Sequence, residues 1–262
     1  MQIPIYQIDA FTDKAFGGNP AAVCPLDDWL PDETMQSIAL ENNLSETAFF
    51  VANGGGGYDL RWFTPAAEVD LCGHATLATG ALLLETLTPD AERVRFETRS
   101  GTLEVARDGD TLVMDFPALP AAPVEMPAGL AEALGGHEPN AYLRAVKNMA
   151  VFDDEATVLA IEPDFDFIAG LDGMGLIVTA PGDASDCASR YFAPQVGINE
   201  DPVTGSAHCT IVPYWAERLG KPEIHARQVS ARGGDLYCRI DGERVAMGGR
   251  AVMFMTGRIE LP

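Results

Sequence analysis

Short hydrophobic stretches, some of which alternate with polar positions, recur along this chain and predict β-strands. The stretch at residues 3–10 alternates in this way, and the stretch at 58–63 follows a glycine-rich turn. In the first part of the chain the predicted strands are 3–10, 21–25, 47–51, 58–63, 93–98, 101–107 and 111–116. Short polar turns separate the last three, which predicts that these strands pair in antiparallel order.

Helical segments lie between these strands. A helix is expected from residue 31, where acidic residues follow a proline, and it ends at residues 42–43. The segment 73–85 is hydrophobic on most sides, which predicts a buried helix, and a helix over 206–219 ends at Gly220. The other predicted elements are helices near 127–134 and 156–161, and strands near 141–146, 149–152, 175–179, 189–192, 223–230, 234–240 and 244–248.

A proline-rich segment at residues 117–123 is the clearest linker in the chain. We therefore expect one domain from residues 1–117 plus 251–262, and a second from 118–250. The final residues have the pattern of a strand, and we expect this strand to pair with the first half. A chain of 262 residues is long enough for two such domains.

Two helix starts resemble each other. Residues 70–76 read DLCGHAT and residues 199–207 read NEDPVTGSA, so that an Asp is followed by a Gly and a polar residue. The two glycines, Gly73 and Gly205, are 205 − 73 = 132 positions apart in a chain of 262. This spacing predicts an α/β (α+β) protein of two pseudo-symmetric halves, each a curled sheet around a central helix. Helix N-termini attract anions, so we expect them to hold a carboxylate in a cleft between the halves.

Composition and charge exclude several classes of function. The formal net charge is −22, and no cluster of Lys or Arg offsets it, which argues against nucleic-acid binding. No apolar stretch reaches the roughly 18 residues of a membrane span, and the N-terminus does not resemble a signal peptide. We therefore expect a cytoplasmic protein with no membrane partner. The five cysteines form no Cys-x-x-Cys pair, which predicts neither disulfides nor a metal site.

Five ordered motifs resemble those of the phenazine biosynthesis-like (PhzF-like) isomerases, within the diaminopimelate epimerase and proline racemase superfamily. They are FGGNPAAVC at 16–24, NLSETAFF at 43–50, RWFTP at 61–65, CGHAT at 72–76 and DPVTGSA at 201–207. The resemblance extends from residue 8 to the C-terminus. It implies a diaminopimelate epimerase-like fold, a small carboxylate substrate, no cofactor, no metal and a homodimer.

The resemblance also implies the catalytic residues. The family's catalytic glutamate corresponds to Glu46, its histidine to His74 and its aspartate to Asp201. Moving a proton next to a carboxylate requires a base, and Glu46 can act as this base if partial burial raises its pKa. His74 could bind the substrate or carry the proton, and Asp201 could orient His74 or a polar group of the substrate. Without the resemblance, these residues could equally be a surface acid, a core-edge histidine and a helix-capping acid.

The expected substrate-binding groups are Gly73, Gly205, Ser206 and Cys72. Ser206 could donate to a substrate carboxylate beside the backbone N–H groups of the two glycines, or it could be a simple first-turn polar residue. Cys72 precedes a helix start, where a thiolate would be stabilised.

Three hypotheses about function remain open at this stage. The related two-base racemases use a cysteine at both helix starts, but the second start of this chain, at residues 204–206, has none. This favours an isomerase in which Glu46 alone moves the proton. The alternatives are a racemase or epimerase that uses Cys72 as a second base, and a small-acid binding protein without catalytic activity.

Overall fold

The computed structural model describes residues 1–261, and the chain divides into two compact units. Unit 1 comprises Met1–Asp115 and Gly248–Pro262, and unit 2 comprises Phe116–Met247. Each unit is a mixed sheet, mostly antiparallel, with helices packed against it. Within residues 1–261 no helix is both long enough and apolar enough to cross a membrane.

The strands of unit 1 follow the predicted hydrophobic stretches. They are β1 (Gln2–Ala10), β2 (Asn19–Leu26), β3 (Glu46–Ala52), β4 (Tyr58–Phe63), β5 (Glu68–Val69), β6 (Arg93–Thr98), β7 (Gly101–Asp108) and β8 (Thr111–Pro117). The last strand of the chain, β17 (Ala251–Glu260), pairs with β1 in antiparallel order, as expected. The sheet continues from β1 through β2, β3, β4, β6 and β7 to β8.

Two α-helices connect strands of unit 1. Helix α1 (Asp32–Asn42) joins the parallel strands β2 and β3, and helix α2 (Gly73–Leu82) precedes β6. Helix α2 packs on β1, β2, β3 and β17 and also on β7, which lies toward the other end of the sheet. A sheet in which strands near both ends contact the same helix must curl around that helix. Nine of the ten α2 residues are buried for this reason, as their hydrophobic composition predicts.

The strands of unit 2 are β9 (Ala122–Pro123), β10 (Ala141–Arg144), β11 (Asn148–Val151), β12 (Leu176–Pro181), β13 (Cys187–Phe192), β14 (Glu223–Gln228), β15 (Gly234–Asp241) and β16 (Arg244–Gly249). Its helices are α3 (Leu130–Ala133), α4 (Glu155–Ala160), α5 (Phe165–Ala169) and α6 (Gly205–Leu219). Helix α6 is largely buried and packs on β14 and β15, while Trp215 donates a hydrogen bond to Thr179 of β12 at 3.0 Å.

The strand pairings repeat between the units. In unit 1 the successive pairs from β1 to β7 are antiparallel, parallel, antiparallel, parallel and antiparallel. In unit 2 the pairs from β10 to β15 follow the same order. The long helices α2 and α6 occupy the same place along the chain, because each lies in sequence between the two strands of the second parallel pair. The predicted fold of two similar halves is therefore confirmed.

Several predicted elements differ in extent. The helix predicted over 73–85 is α-helical only to Leu82 and continues as a π-helix over Leu83–Leu87, where Thr88 donates to the carbonyl of Leu83. The helix predicted near 127–134 is shortened to α3, because Gly129 adopts a left-handed conformation before it. Helix α5 was not predicted, although Asp164 caps it by accepting from the N–H groups of Asp166 and Phe167.

Candidate functional site

Glu46, Cys72 and His74 form a cluster at the N-terminus of helix α2 in unit 1. Glu46 is the first residue of β3, Cys72 is the N-cap of α2, and His74 lies in the first turn of that helix. Strand β3 runs parallel to β2, in a register that sets Glu46 beside Ala21, so both strands begin at the same edge of the sheet. This topology brings together three residues that the sequence predicted as functional.

The carboxylate of Glu46 and the imidazole of His74 are in direct contact. Glu46 Oε2 lies 3.1 Å from His74 Nε2, and the two side chains are only 12% and 6% exposed. The distance is that of an ion pair, but the angles do not meet those of a hydrogen bond, and neither atom has a hydrogen-bond partner among residues 1–261. Buried polar atoms normally have a well-aligned hydrogen-bond partner, so this close but poorly aligned contact is unusual.

The other nitrogen of the ring faces two further side chains. Nδ1 of His74 lies 3.2 Å from Asn19 Nδ2 and 3.5 Å from Cys72 Sγ. Asn19 is the first residue of β2 and is buried. It lies inside a motif that supports the family resemblance, so the sequence contained a signal for it, but we did not predict it as a site residue.

Burial and charge shift the pKa values in this cluster. Burial by itself lowers the pKa of His74, but its contacts with Cys72 and with the Glu46 carboxylate raise it, and the net pKa lies well above its usual value. Burial and the charge of Glu46 raise the pKa of Cys72 to about 11. The sequence predicted that the helix start would stabilise a thiolate here. That prediction is wrong, because desolvation of the thiol outweighs the neighbouring imidazole.

A carboxylate, a thiol and an imidazole within 4.8 Å of one another could also supply ligands to a metal ion. A metal binds in line with the lone pair of one imidazole nitrogen. In this cluster the thiol approaches Nδ1 and the carboxylate approaches Nε2, on different edges of the ring. The arrangement therefore suits a chain of proton-transfer partners better than a shared metal.

Asp201 lies in a second cluster, at the N-terminus of helix α6 in unit 2. Thr204, the N-cap of α6, donates a short hydrogen bond from its hydroxyl to Asp201 Oδ2. Gln228 of β14 accepts from the Thr204 N–H at 2.8 Å and donates to the Asp201 carbonyl at 2.7 Å. These bonds fix both Asp201 and the first turn of α6. No motif of the sequence indicated Gln228, which is distant from Asp201 along the chain.

The remaining predicted residues lie at the two helix starts. Gly73 and Gly205 are the first residues of α2 and α6, so their N–H groups belong to the unpaired donors of a helix N-terminus. Ser206 is half-buried, and its hydroxyl forms no hydrogen bond with another residue in the described part of the chain. Glu46, Cys72, His74 and Gly73 lie in unit 1, and Asp201, Gly205 and Ser206 lie in unit 2.

The repeated, curled fold is that of the diaminopimelate epimerase-like proteins, a class of isomerases and epimerases. A probable proline racemase of Agrobacterium radiobacter shares this fold with a TM-score of 0.65 over 99% of this chain and 93% of that one, at 10% identity. A PhzF-family protein of Enterococcus faecalis is much closer, with a TM-score of 0.97 and 45% identity over the full length of both chains.

Residues 8–257 match the family of phenazine biosynthesis-like proteins, and the chain belongs to this family. A protein of Pseudomonas aeruginosa that is named an uncharacterized isomerase is 54% identical over the full length of both chains. The family resemblance, the fold class and the assignment to an isomerase-type enzyme are therefore confirmed. The homodimer and the cytoplasmic location stay predictions.

Proposed function

We propose that this protein is a cofactor-independent isomerase that moves a proton on a small carboxylate substrate, with Glu46 as the single base. The observation that carries the proposal is the buried contact between Glu46 Oε2 and His74 Nε2, two atoms that have no hydrogen-bond partner among residues 1–261. Exchange of a proton between a catalytic acid and a catalytic base requires this proximity.

The proposed reaction begins when Glu46 removes a proton from a carbon of the substrate, and the electrons of the C–H bond enter an enolate or allylic system. The N–H groups at the start of α2 stabilise the developing negative charge. Glu46, or His74 after proton exchange with it, then returns the proton to a different carbon. No atom is gained or lost, so the product is an isomer of the substrate.

The raised pKa of the Cys72 thiol favours this single-base reaction over a racemase or epimerase reaction. At neutral pH a thiol with a pKa of about 11 is almost entirely protonated, so it is a weak base. The thiol nevertheless lies 3.5 Å from His74 Nδ1, so the two-base alternative also requires a test. The single-base proposal predicts that exchange persists in Cys72→Ser, whereas a two-base racemase would lose it.

The test is incorporation of solvent deuterium. Small carboxylates, and the carboxylate fraction of a cell extract, are incubated with the protein in D₂O and analysed by mass spectrometry for a gain of one mass unit. We expect incorporation into at least one compound, and a decrease of at least about 10²-fold in Glu46→Gln, because positioned acid–base groups contribute factors of this size. The matched control is Glu41→Gln, an exposed glutamate of the same unit.

Two results would contradict the proposal. Full exchange activity in Glu46→Gln would remove the assigned base. Thermal stabilisation by a carboxylate, without deuterium entering any compound, would instead support the third hypothesis, a binding protein without catalytic activity.

A further inference from the structure

Lys147 is a buried cation that the proposed reaction does not use. It lies between β10 and β11 in unit 2, is only 7% exposed, and forms no ion pair or side-chain hydrogen bond with any residue from 1 to 261. Its Nζ lies 5.6 Å from the centre of the Tyr191 ring. A buried ammonium group without a counter-ion is costly, so its retention points to a partner that is not part of the described chain.

The backbone around Lys147 is fixed. Asn148 donates from its backbone N–H to the carbonyl of Gly175 at 3.1 Å, and its side chain donates to the carbonyls of Asp172 and Gly175. Met174 donates to the carbonyl of Val146 at 3.0 Å. The residues on both sides of Lys147 are therefore held against the segment that leads into β12, and this fixes the position of the Lys147 backbone.

Tyr191 links Lys147 to the second cluster. The ring faces the lysine ammonium, while the backbone carbonyl of Tyr191 accepts from the Asp201 N–H at 3.0 Å. Burial lowers the pKa of Lys147, and the nearby Cys209 and Asp201 offset only part of this shift. The groups around this ammonium are therefore Asp201, which the Thr204 hydroxyl already engages, the buried thiol of Cys209 on α6, and the buried phenol of Tyr191.

The internal repeat shows which position of unit 1 corresponds to this place. In unit 1, Thr47 pairs with Ala22 on one side and with Phe63 on the other. In unit 2, Leu176 pairs in the same way with Asn148 and Phe192. Phe63 and Phe192 are each the last residue of their strand, which aligns Leu176 with Thr47 and therefore Gly175 with Glu46, the proposed base.

Gly175 cannot carry a side chain. Its φ is +79°, and a Cβ atom there would lie 2.5 Å from the carbonyl oxygen of Phe192 and 2.8 Å from the hydroxyl of Tyr191. The phenol of Tyr191 thus fills the space that a counterpart of the Glu46 side chain would need, and the ammonium of Lys147 lies over the same phenol ring. Unit 2 therefore has a cation in the region where unit 1 has a carboxylate.

We propose that Lys147 is an anion-binding residue of unit 2 and that the anion it binds is the carboxylate group of a small organic acid. An anion would supply the missing counter-ion of the ammonium. The choice of a carboxylate rests on the proposed function, whereas the existence of an anion site does not.

The sequence makes this proposal directly testable, because the chain contains only three lysines, Lys14, Lys147 and Lys221. Protein labelled with ¹³C at lysine Cε gives one NMR signal for each, and Lys→Arg variants assign them. The signals are titrated with pH in sodium chloride and in sodium acetate at equal ionic strength. We expect acetate to shift the Lys147 signal and to raise its pKa, while the signals of Lys14 and Lys221 stay unchanged.

Variants provide the second measurement. Lys147→Met is expected to weaken acetate binding at least tenfold, as followed by the acetate-dependent rise in Tm, and Lys147→Arg is expected to retain part of it. Lys14→Met, an exposed lysine with the same change in charge, is the control. If Lys147→Met does not fold, the titration of the labelled wild-type protein still decides.

A Lys147 signal that does not respond to acetate, or that responds no more than Lys14, would overturn the proposal. If phosphate shifts the Lys147 signal, relative to chloride, as much as acetate does, the anion site is retained and the assignment to carboxylates is overturned. Glu46→Gln separates this inference from the proposed function, because it leaves Lys147 intact. In that variant we expect deuterium exchange to be lost and the response of the Lys147 signal to acetate to stay unchanged.

Discussion

The two buried histidines at the helix starts differ because of their neighbours. His74 has the carboxylate of Glu46 at 3.1 Å, and its pKa is raised. His208 of α6 donates from Nδ1 to the Thr204 carbonyl at 2.8 Å, and no acidic group among residues 1–261 offsets its burial, which lowers its pKa to about 4. The first imidazole is thus suited to carry a proton, whereas the second is held neutral.

His208 therefore predicts how stability changes with pH. Between its unfolded pKa of about 6.5 and its folded pKa of about 4, the unfolded state binds more protons, so stability falls as the pH falls through this window. We expect the wild-type protein to lose about 3 kcal/mol more unfolding free energy than His208→Gln between pH 7 and pH 4. Urea denaturation at both pH values measures this difference.

The control for this prediction is His137→Gln, which changes a half-buried histidine in a loop. It should lose unfolding free energy in parallel with the wild-type protein. Equal losses in the wild-type protein and His208→Gln would contradict the assigned burial effect.

Helix α2 depends on the absence of a side chain at Gly80, in its last turn. A Cβ atom at Gly80 would lie 2.6 to 2.8 Å from three side-chain carbons of Val105 on β7. Glycine normally weakens a helix by about 1 kcal/mol relative to alanine, so its presence here reflects the close approach of the curled sheet.

Gly80→Ala is accordingly expected to lower the unfolding free energy by about 1 to 3 kcal/mol, although alanine is the better helix former. Chemical denaturation measures the change. Gly54→Ala, in an open turn with no atom within 4 Å of the new Cβ, should change stability by less than about 0.5 kcal/mol.

The double variant Gly80→Ala/Val105→Ala tests the cause, because it removes the side chain that the new methyl group would meet. We expect Gly80→Ala to lower the unfolding free energy less in the Val105→Ala protein than in the wild-type protein. If the two substitutions were simply additive, the contact between α2 and β7 would not explain the effect.

The beginning and the end of the chain belong to one folding unit. Strand β17 pairs with β1 along nearly its whole length, and the N-terminal amine of Met1 donates to the carbonyl of Leu261 at 2.6 Å. Without β17, one edge of β1 would be exposed over nine residues, and Ile3, Ile5 and Ile8 would lose part of their cover.

Deletion of residues 251–262 is therefore expected to abolish cooperative folding of unit 1. The measurement is near-UV circular dichroism with thermal unfolding, together with the soluble yield. Deletion of residues 261–262 alone is the control and should leave the transition close to that of the full chain. A cooperative transition at an unchanged Tm in the longer deletion would contradict the prediction.

The local pattern of residues determined most of the elements. Short hydrophobic stretches, some of them alternating with polar positions, predicted the main strands of unit 1, and the hydrophobic run after Gly73 predicted a buried helix. Short elements were missed, such as β5 and α5, because two to five residues carry too little periodicity. The motifs also predicted Glu46, His74 and Cys72, which the structure brings within hydrogen-bonding or ion-pair distance of one another.

Other features were decided by the tertiary structure alone. The high pKa of Cys72 follows from desolvation, which depends on the residues packed around the thiol and not on its place before a helix. Asn19 and Gln228 reach their clusters through strand pairing between residues far apart in sequence. The burial of Lys147 without an ion pair depends on the packing of unit 2. The replacement of a Glu46 counterpart by Gly175 becomes visible only when the strand registers of the two units are compared. Sequence thus fixes which side chains are available, whereas strand register and burial decide which of them meet and which charges they carry.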